Sequence, residues 1–279
     1  MKRKIKAKVV GTNVIDGAGV HLVRVLGNNT VREFDPILML DSFDSKNPND
    51  YTAGFPLHPH RGIETISYVY KGKMVHRDSI GNSDAIGDGE LQWMNSGSGI
   101  MHEEMVPEAD RLLGVQLWLN LPAKDKLSKP SYHSIKNDEI KEVEIEGGKI
   151  RVLAGRYKDI QGYKGEYQAL DYYDIHLKEG SQITIDTDED ASVMLFTLIG
   201  KAYIDGELIE EKTAVKLTKG DSIDIKSAED ETQVLFMSSF EINEPIAWAG
   251  PIVMNTQAEL EEAYSDLRKN TFIKDKIKY

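Results

Sequence analysis

Hydrophobic positions fall along most of the chain in short runs of strand length, broken by polar turn residues rather than spaced at a helical period. The runs "ETISYVYKGKMVHRDS", "GVQLWLNLP", "KIRVLAG", "QITIDT", "VMLFTLIGKAYIDG", "AVKLTKGDSIDI" and "TQVLFMSS" are short and rich in β-branched and aromatic residues, and Gly, Asp and Asn punctuate them. No helical period interrupts them until the C-terminal end. There Thr256 and Glu259 form a Thr-x-x-Glu capping box, and Leu260, Ala263, Tyr264 and Leu267 recur at i, i+3, i+4 and i+7. That stripe predicts a single short helix laid on a sheet. Many short strands closed by turn signals predict an all-β fold of antiparallel barrels of the double-sheet kind.

The stretch "LPAKDKLSKPSYHS", residues 121–134, has two prolines, several lysines and no strand pattern, and it predicts a boundary. Beyond it the chain repeats its own plan. "SYVYKGKMVHRD" around Gly72 is similar to "LFTLIGKAYIDG" around Gly200, and "IGDGELQWMNSG" around Gly89 to "KLTKGDSIDIKS" around Gly220. The offsets, 128 and 131 residues, are nearly constant. A fixed offset across two landmarks predicts two copies of one barrel, residues 1–134 and 135–279.

Composition narrows the range of partners. The 279 residues carry 34 Lys and Arg against 46 Asp and Glu, a formal net charge of −12. Such an acidic balance does not predict direct nucleic-acid binding, which basic patches drive. There are no cysteines, so any metal must be held by nitrogen and oxygen. No run approaches the ~20 apolar residues of a membrane span. The N-terminus, "MKRKIKAKVV", lacks the apolar core of a secretory signal and reads as a solvated edge strand. A cytoplasmic protein without membrane contact is the resulting expectation.

Against this background "AGFPLHPHRGIETISYVYKG" stands out. His58 and His60 flank a single proline, and in a strand residues two apart point the same way, about 6–7 Å along the chain. Proline stiffens the pair. His102 and Glu104 in "GSGIMHEEM" repeat the same spacing, and Gly97 and Gly99 allow a tight turn that aims them inward. One H-x-H pair on a surface would mean little. Two such pairs predict three imidazoles and a carboxylate around one first-row divalent ion, with positions left for water, substrate or dioxygen. Strand parity favours Glu104 as the carboxylate, since Glu103 points opposite to His102 and Glu64 lies ~13 Å from His60 in a straight strand. His76, in "HRDS", is a candidate to support a ligand from behind. His21, His133 and His176 stand alone and read as surface or core residues. The segments of the second half that correspond to the two motifs contain no histidine, so the expected stoichiometry is one metal per chain.

These residues carry a family resemblance. "HPHRGIETISYVYKGKMVHRDSIGN", "GELQWMNSGSGIMHEEM" and "GPIVMNT" resemble the pirins, a branch of the cupin superfamily. The resemblance implies a bicupin of two jelly-roll barrels. It implies a metal, iron(II) first, with nickel, cobalt, manganese, copper or zinc also compatible, in the N-terminal barrel on His58, His60, His102 and Glu104. It further implies either a dioxygenase of quercetinase type, which opens flavonols with dioxygen and releases carbon monoxide, or a non-enzymatic iron protein that acts in regulation, redox sensing or protein interaction. On the enzymatic reading Glu104 leaves the metal to act as base, Phe55, Leu57, Trp93, Met94, Ile100 and Met101 are candidates for the pocket wall, and the partner is a small aromatic substrate. On the other reading the partner is a protein. The chain departs from the family in two places. Ser98 stands where an arginine is common, which removes a cation expected near the pocket mouth. Glu103 stands where serine is common, which adds a negative charge beside the site.

Overall fold

The short strand runs become two copies of one strand plan in the computed structural model, which describes residues 1–274. In the first copy a seven-stranded sheet runs Ser131–Ile135, Glu90–Asn95, Ile63–Lys71, Leu112–Asn120, Ile37–Ser45, Val20–Leu26, Thr12–Asp16. A four-stranded sheet runs Phe55–His60, Ile100–Met105, Met74–Asp78, Ser83–Ile86. In the second copy the larger sheet runs Ile5–Val10, Thr213–Leu217, Ser192–Ile199, Glu231–Ser239, Asp171–Lys178, Gly148–Ala154, Lys141–Ile145. Its smaller partner runs Gln182–Asp186, Ser222–Ser227, Ala202–Ile204, Glu207–Ile209. Eight consecutive strands of one copy thus map onto eight of the other in the same spatial order, as the constant offset predicts. The landmark glycines agree. Gly72 and Gly200 have φ of +103° and +65°, and Gly89 and Gly220 have +76° and +157°, a region L-residues rarely adopt.

The two compact units are not contiguous in sequence. One comprises Met1–Thr12, Val23–Pro36 and Asn137–Glu241, the other Asn13–Leu22, Ile37–Lys136 and the chain from Ile242 onward. Each terminus folds with the unit built mainly from the opposite half. At the N-terminal end, Ile5–Val10 pairs antiparallel with Thr213–Leu217 at the sheet edge. The strand alternates half-buried and exposed residues, as an edge strand does, and Arg3 before it is buried, donating to the carbonyls of Ala191 and Thr218 and to Thr187 Oγ1. At the C-terminal end, Gln257–Arg268 is the predicted helix. Thr256 caps it, with both bonds of the capping box formed. Its buried Leu260 and Ala263 pack with Ile252, Met254 and Phe272.

The two interiors differ. That of the second unit, the one containing Asn137–Glu241 and the second copy of the strand plan, is an apolar cluster that includes Ile150, Tyr173, Leu195, Val215 and Phe236. The strands equivalent to the two histidine strands, Gln182–Asp186 and Ser222–Ser227, place Ile223 opposite Ile185 and Ile225 opposite Ile183, all four in or against that cluster. The first unit has an apolar cluster of Val20, Phe43, Val69, Met74, Leu112 and neighbours. It also has a layer of buried polar side chains, which form the candidate site.

Candidate metal centre

Antiparallel pairing of Phe55–His60 with Ile100–Met105 sets His102 directly opposite His58 and Ile100 opposite His60. Three imidazoles therefore gather at one point. Their candidate ligand nitrogens all lie within 4.8 Å of one another, and among the described residues this is the only such group of three or more His, Asp or Glu. Ring centroids are 4.3 Å apart for His58 and His102, 4.9 Å for His58 and His60, and 5.0 Å for His60 and His102. His60 and His102 are buried, and His58 is half-buried and forms the open side.

The hydrogen bonds behind the rings assign the tautomers. His58 Nδ1 donates to the carbonyl of Pro56 at 2.8 Å, and His60 Nδ1 to that of Pro251 at 2.9 Å. Each Nε2 is left as a lone pair, and the two stand 3.1 Å apart. Two acceptors facing at that distance repel unless a cation lies between them. Two nitrogens each ~2.0–2.1 Å from one ion stand ~3 Å apart, so the spacing fits a shared divalent ion. For His102, Nδ1 approaches His76 Nδ1 at 3.5 Å, and His76 Nε2 donates to Asp78 Oδ2 at 3.0 Å. Asp78 is anchored in turn by the backbone N–H groups of Ile80 and Asn82. His76 stacks on Tyr132 at 4.0 Å. With its Nδ1 turned to His76, His102 presents Nε2, a buried atom without a hydrogen-bond partner. Three outward Nδ1 atoms, three inward lone pairs and one orphaned buried nitrogen fit a metal held by neutral imidazoles. Burial, reinforced by the neighbouring His58, pushes the His60 imidazole down to about 3. Burial and the three surrounding histidines likewise hold His102 well below its usual range.

Glu104 faces the same interior but lies outside the group of three. Its strand register slips by one residue after His102, so Glu104 sits opposite Phe55. Its Oε1 accepts from Gln92 Nε2 at 2.5 Å and Ser67 Oγ at 3.3 Å, and its Oε2 from Gln116 Nε2 at 2.9 Å. Gln116 Oε1 accepts in turn from Trp118 Nε1 at 3.4 Å. Trp118 meets His60 edge-on at 4.9 Å, and Trp248 lies 5.7 Å beyond it.

Sequence reasoning missed Ser67, Gln92 and Gln116. Their signal is an isolated polar residue inside an otherwise apolar strand, "VQL" and "LQW", at a parity that faces the interior. Pro251 and Trp248 left no comparable signal, being 191 and 188 residues from His60 along the chain. Other expectations are placed elsewhere. Glu64 accepts from Trp93 Nε1 at 2.9 Å, Leu57 is exposed, and Phe55 packs edge-on against Phe43. Ser98 is buried and lines a cavity of about 430 Å³ together with Arg61, Lys129, Met254 and Asp266, and none of the three imidazoles lines that cavity. Glu103 lies 3.6 Å from Arg77, which offsets its charge. His21 lies 3.8 Å from Asp50, and His176 Nε2 is 2.8 Å from Asp174.

Comparison with known proteins gives this geometry a family context. The family model described as Pirin matches residues 19–119, and that of the Pirin C-terminal cupin domain matches residues 172–273. A pirin-like protein of Caulobacter vibrioides is 38% identical over 278 residues, covering 97% of this chain and 99% of that protein. The human protein named Pirin is 31% identical, covering 97% and 94%. Among solved structures, a quercetin 2,3-dioxygenase from Acinetobacter baumannii superposes with a TM-score of 0.89 at 30% identity, over 98% of this chain and 99% of that one.

Proposed function

The chain belongs to the pirin family, with its two cupin domains, and on that premise we propose that it is a metal-dependent dioxygenase of quercetinase type. His58, His60 and His102 hold one divalent ion, iron(II) by preference, and the substrate is a flavonol. The observation that carries this reading is the convergence of three imidazoles, with one Nε2 buried without a partner, in an interior that also holds the buried Glu104 carboxylate. A bound ion supplies Lewis acidity toward the 3-hydroxyl of a flavonol.

The chain's own residues do the rest. Glu104, within the same barrel interior, would join the three imidazoles in holding the ion and would take the hydroxyl proton on a carboxylate oxygen. Gln92, Gln116 and Ser67 aim that carboxylate and hold it in place. Trp118 and the half-buried Trp248 offer aromatic faces on which a planar substrate stacks. Burial of His60 and His102 keeps water from two of the three ligands.

Protein loaded with iron(II), cobalt(II) or nickel(II) should consume oxygen and bleach quercetin with release of carbon monoxide. If no metal supports turnover while the metal-loaded protein binds a protein partner, the chain is a non-enzymatic pirin instead. Elemental analysis of protein from its native source identifies the resident metal.

A further inference from the structure

Lys126 is 2% exposed, and its ammonium donates three hydrogen bonds, all to neutral oxygens: Gly62 O at 2.8 Å, Asn120 Oδ1 at 2.6 Å and Val253 O at 3.0 Å. Burying an amine without a carboxylate in contact is costly. Burial holds its pKa down to about 7, against the pull of Glu244 and Glu259. The three oxygens come from three separate stretches of the same unit. Gly62 follows the His58–His60 strand, Asn120 ends the strand that carries Trp118, and Val253 belongs to the C-terminal strand Ile252–Met254.

That C-terminal stretch lies against the end of the first histidine strand and the turn before the second. Pro251 O receives His60 Nδ1, and Val253 N donates to Arg61 O at 3.1 Å. Arg61 reaches back to Asp266 and to Phe272 O, with its guanidinium 4.3 Å from the Phe272 ring centre. The approach is close enough to require glycine. A Cβ on Gly62 would lie 2.1 Å from Val253 O, and one on Gly99, just before the His102 strand, 2.8 Å from Phe272 O.

We propose that Lys126 is a positioning residue for the metal centre: by tying Val253 to Gly62 it keeps the Pro251 carbonyl on His60 Nδ1, and so keeps His60 Nε2 bare and aimed at the ion. The C-terminal stretch is then a working part of the ligand set. Without the Pro251 acceptor His60 exchanges between tautomers, and the one with its proton on Nε2 cannot bind. Outer partners of this kind typically change metal affinity ~10–100-fold.

This inference rests on the metal-binding reading proposed above, and the test separates the two. Wild type, Lys126→Met and Asn120→Ala are compared for cobalt(II) affinity by chelator competition. Metal-free samples labelled with ¹⁵N-histidine are compared by NMR for the His60 tautomer. Wild type should show His60 protonated on Nδ1. Lys126→Met should show a mixture and bind cobalt at least ~10-fold more weakly, with Asn120→Ala shifted in the same direction by less. If Lys126→Met only lowers the melting temperature, leaving affinity and tautomer at wild-type values, the positioning role is overturned. If Lys126→Met does not fold, Asn120→Ala decides by the same two readouts. If wild type binds no cobalt, the metal reading fails, and the tautomer comparison still judges the role of Lys126.

Discussion

Acidifying the metal-free protein should destabilise the histidine-bearing unit by an amount set largely by His60. Unfolded, an imidazole titrates near ~6.5, whereas in the fold burial and His58 bring His60 to about 3. The unfolded chain therefore takes up a proton that the fold refuses. The stabilising contribution is complete above the unfolded value and is lost as pH falls through it toward the folded one. At pH 5 the loss relative to pH 8 is ~2 kcal/mol, and it grows by ~1.4 kcal/mol for each further unit until the folded pKa is reached. His102 is shifted in the same direction and adds to the loss. Urea unfolding in chelator at pH 8 and pH 5 measures it. All three tryptophans, Trp93, Trp118 and Trp248, lie in this unit, so their fluorescence follows it selectively. His60→Gln removes the titrating group, and its loss between the two pH values should be smaller than that of wild type by ~2 kcal/mol. Equal losses would refute the claim that His60 is kept neutral by burial. With metal bound, the same protons compete with the ion, so affinity should fall over the acid range.

His58→Ala, His60→Ala and His102→Ala should each abolish the single tight metal equivalent measured by titration, whereas His21→Ala and His133→Ala should leave it intact. Two equal tight sites in wild type would contradict the isoleucines that occupy the corresponding strands of the second unit. Gln116→Leu takes a donor from the buried Glu104 carboxylate and an acceptor from Trp118. It should cost ~1–3 kcal/mol in chemical denaturation, and a neutral result would mean that Glu104 is satisfied without it.

Local chemistry made much of this protein legible in the sequence. Short runs of β-branched and aromatic residues between turn residues marked the strands, the Thr256–Glu259 box marked the helix start, and glycines at a nearly constant offset marked the repeat. Spacing of i, i+2 set each pair of candidate ligands on one side of its strand, because the pleat alone decides that. Pairing between strands is non-local, and only the tertiary structure supplied it. The register sets His102 against His58, and the folding of three further strands brings Ser67, Gln92 and Gln116 around the Glu104 carboxylate. The same holds for the chain ends, which fold with the opposite halves because their strand and helix faces find partners there. The contact that aims His60 is a backbone carbonyl, that of Pro251. Every residue has such a group, so no side-chain pattern could have announced it, and only the path of the folded chain brings it to the ring.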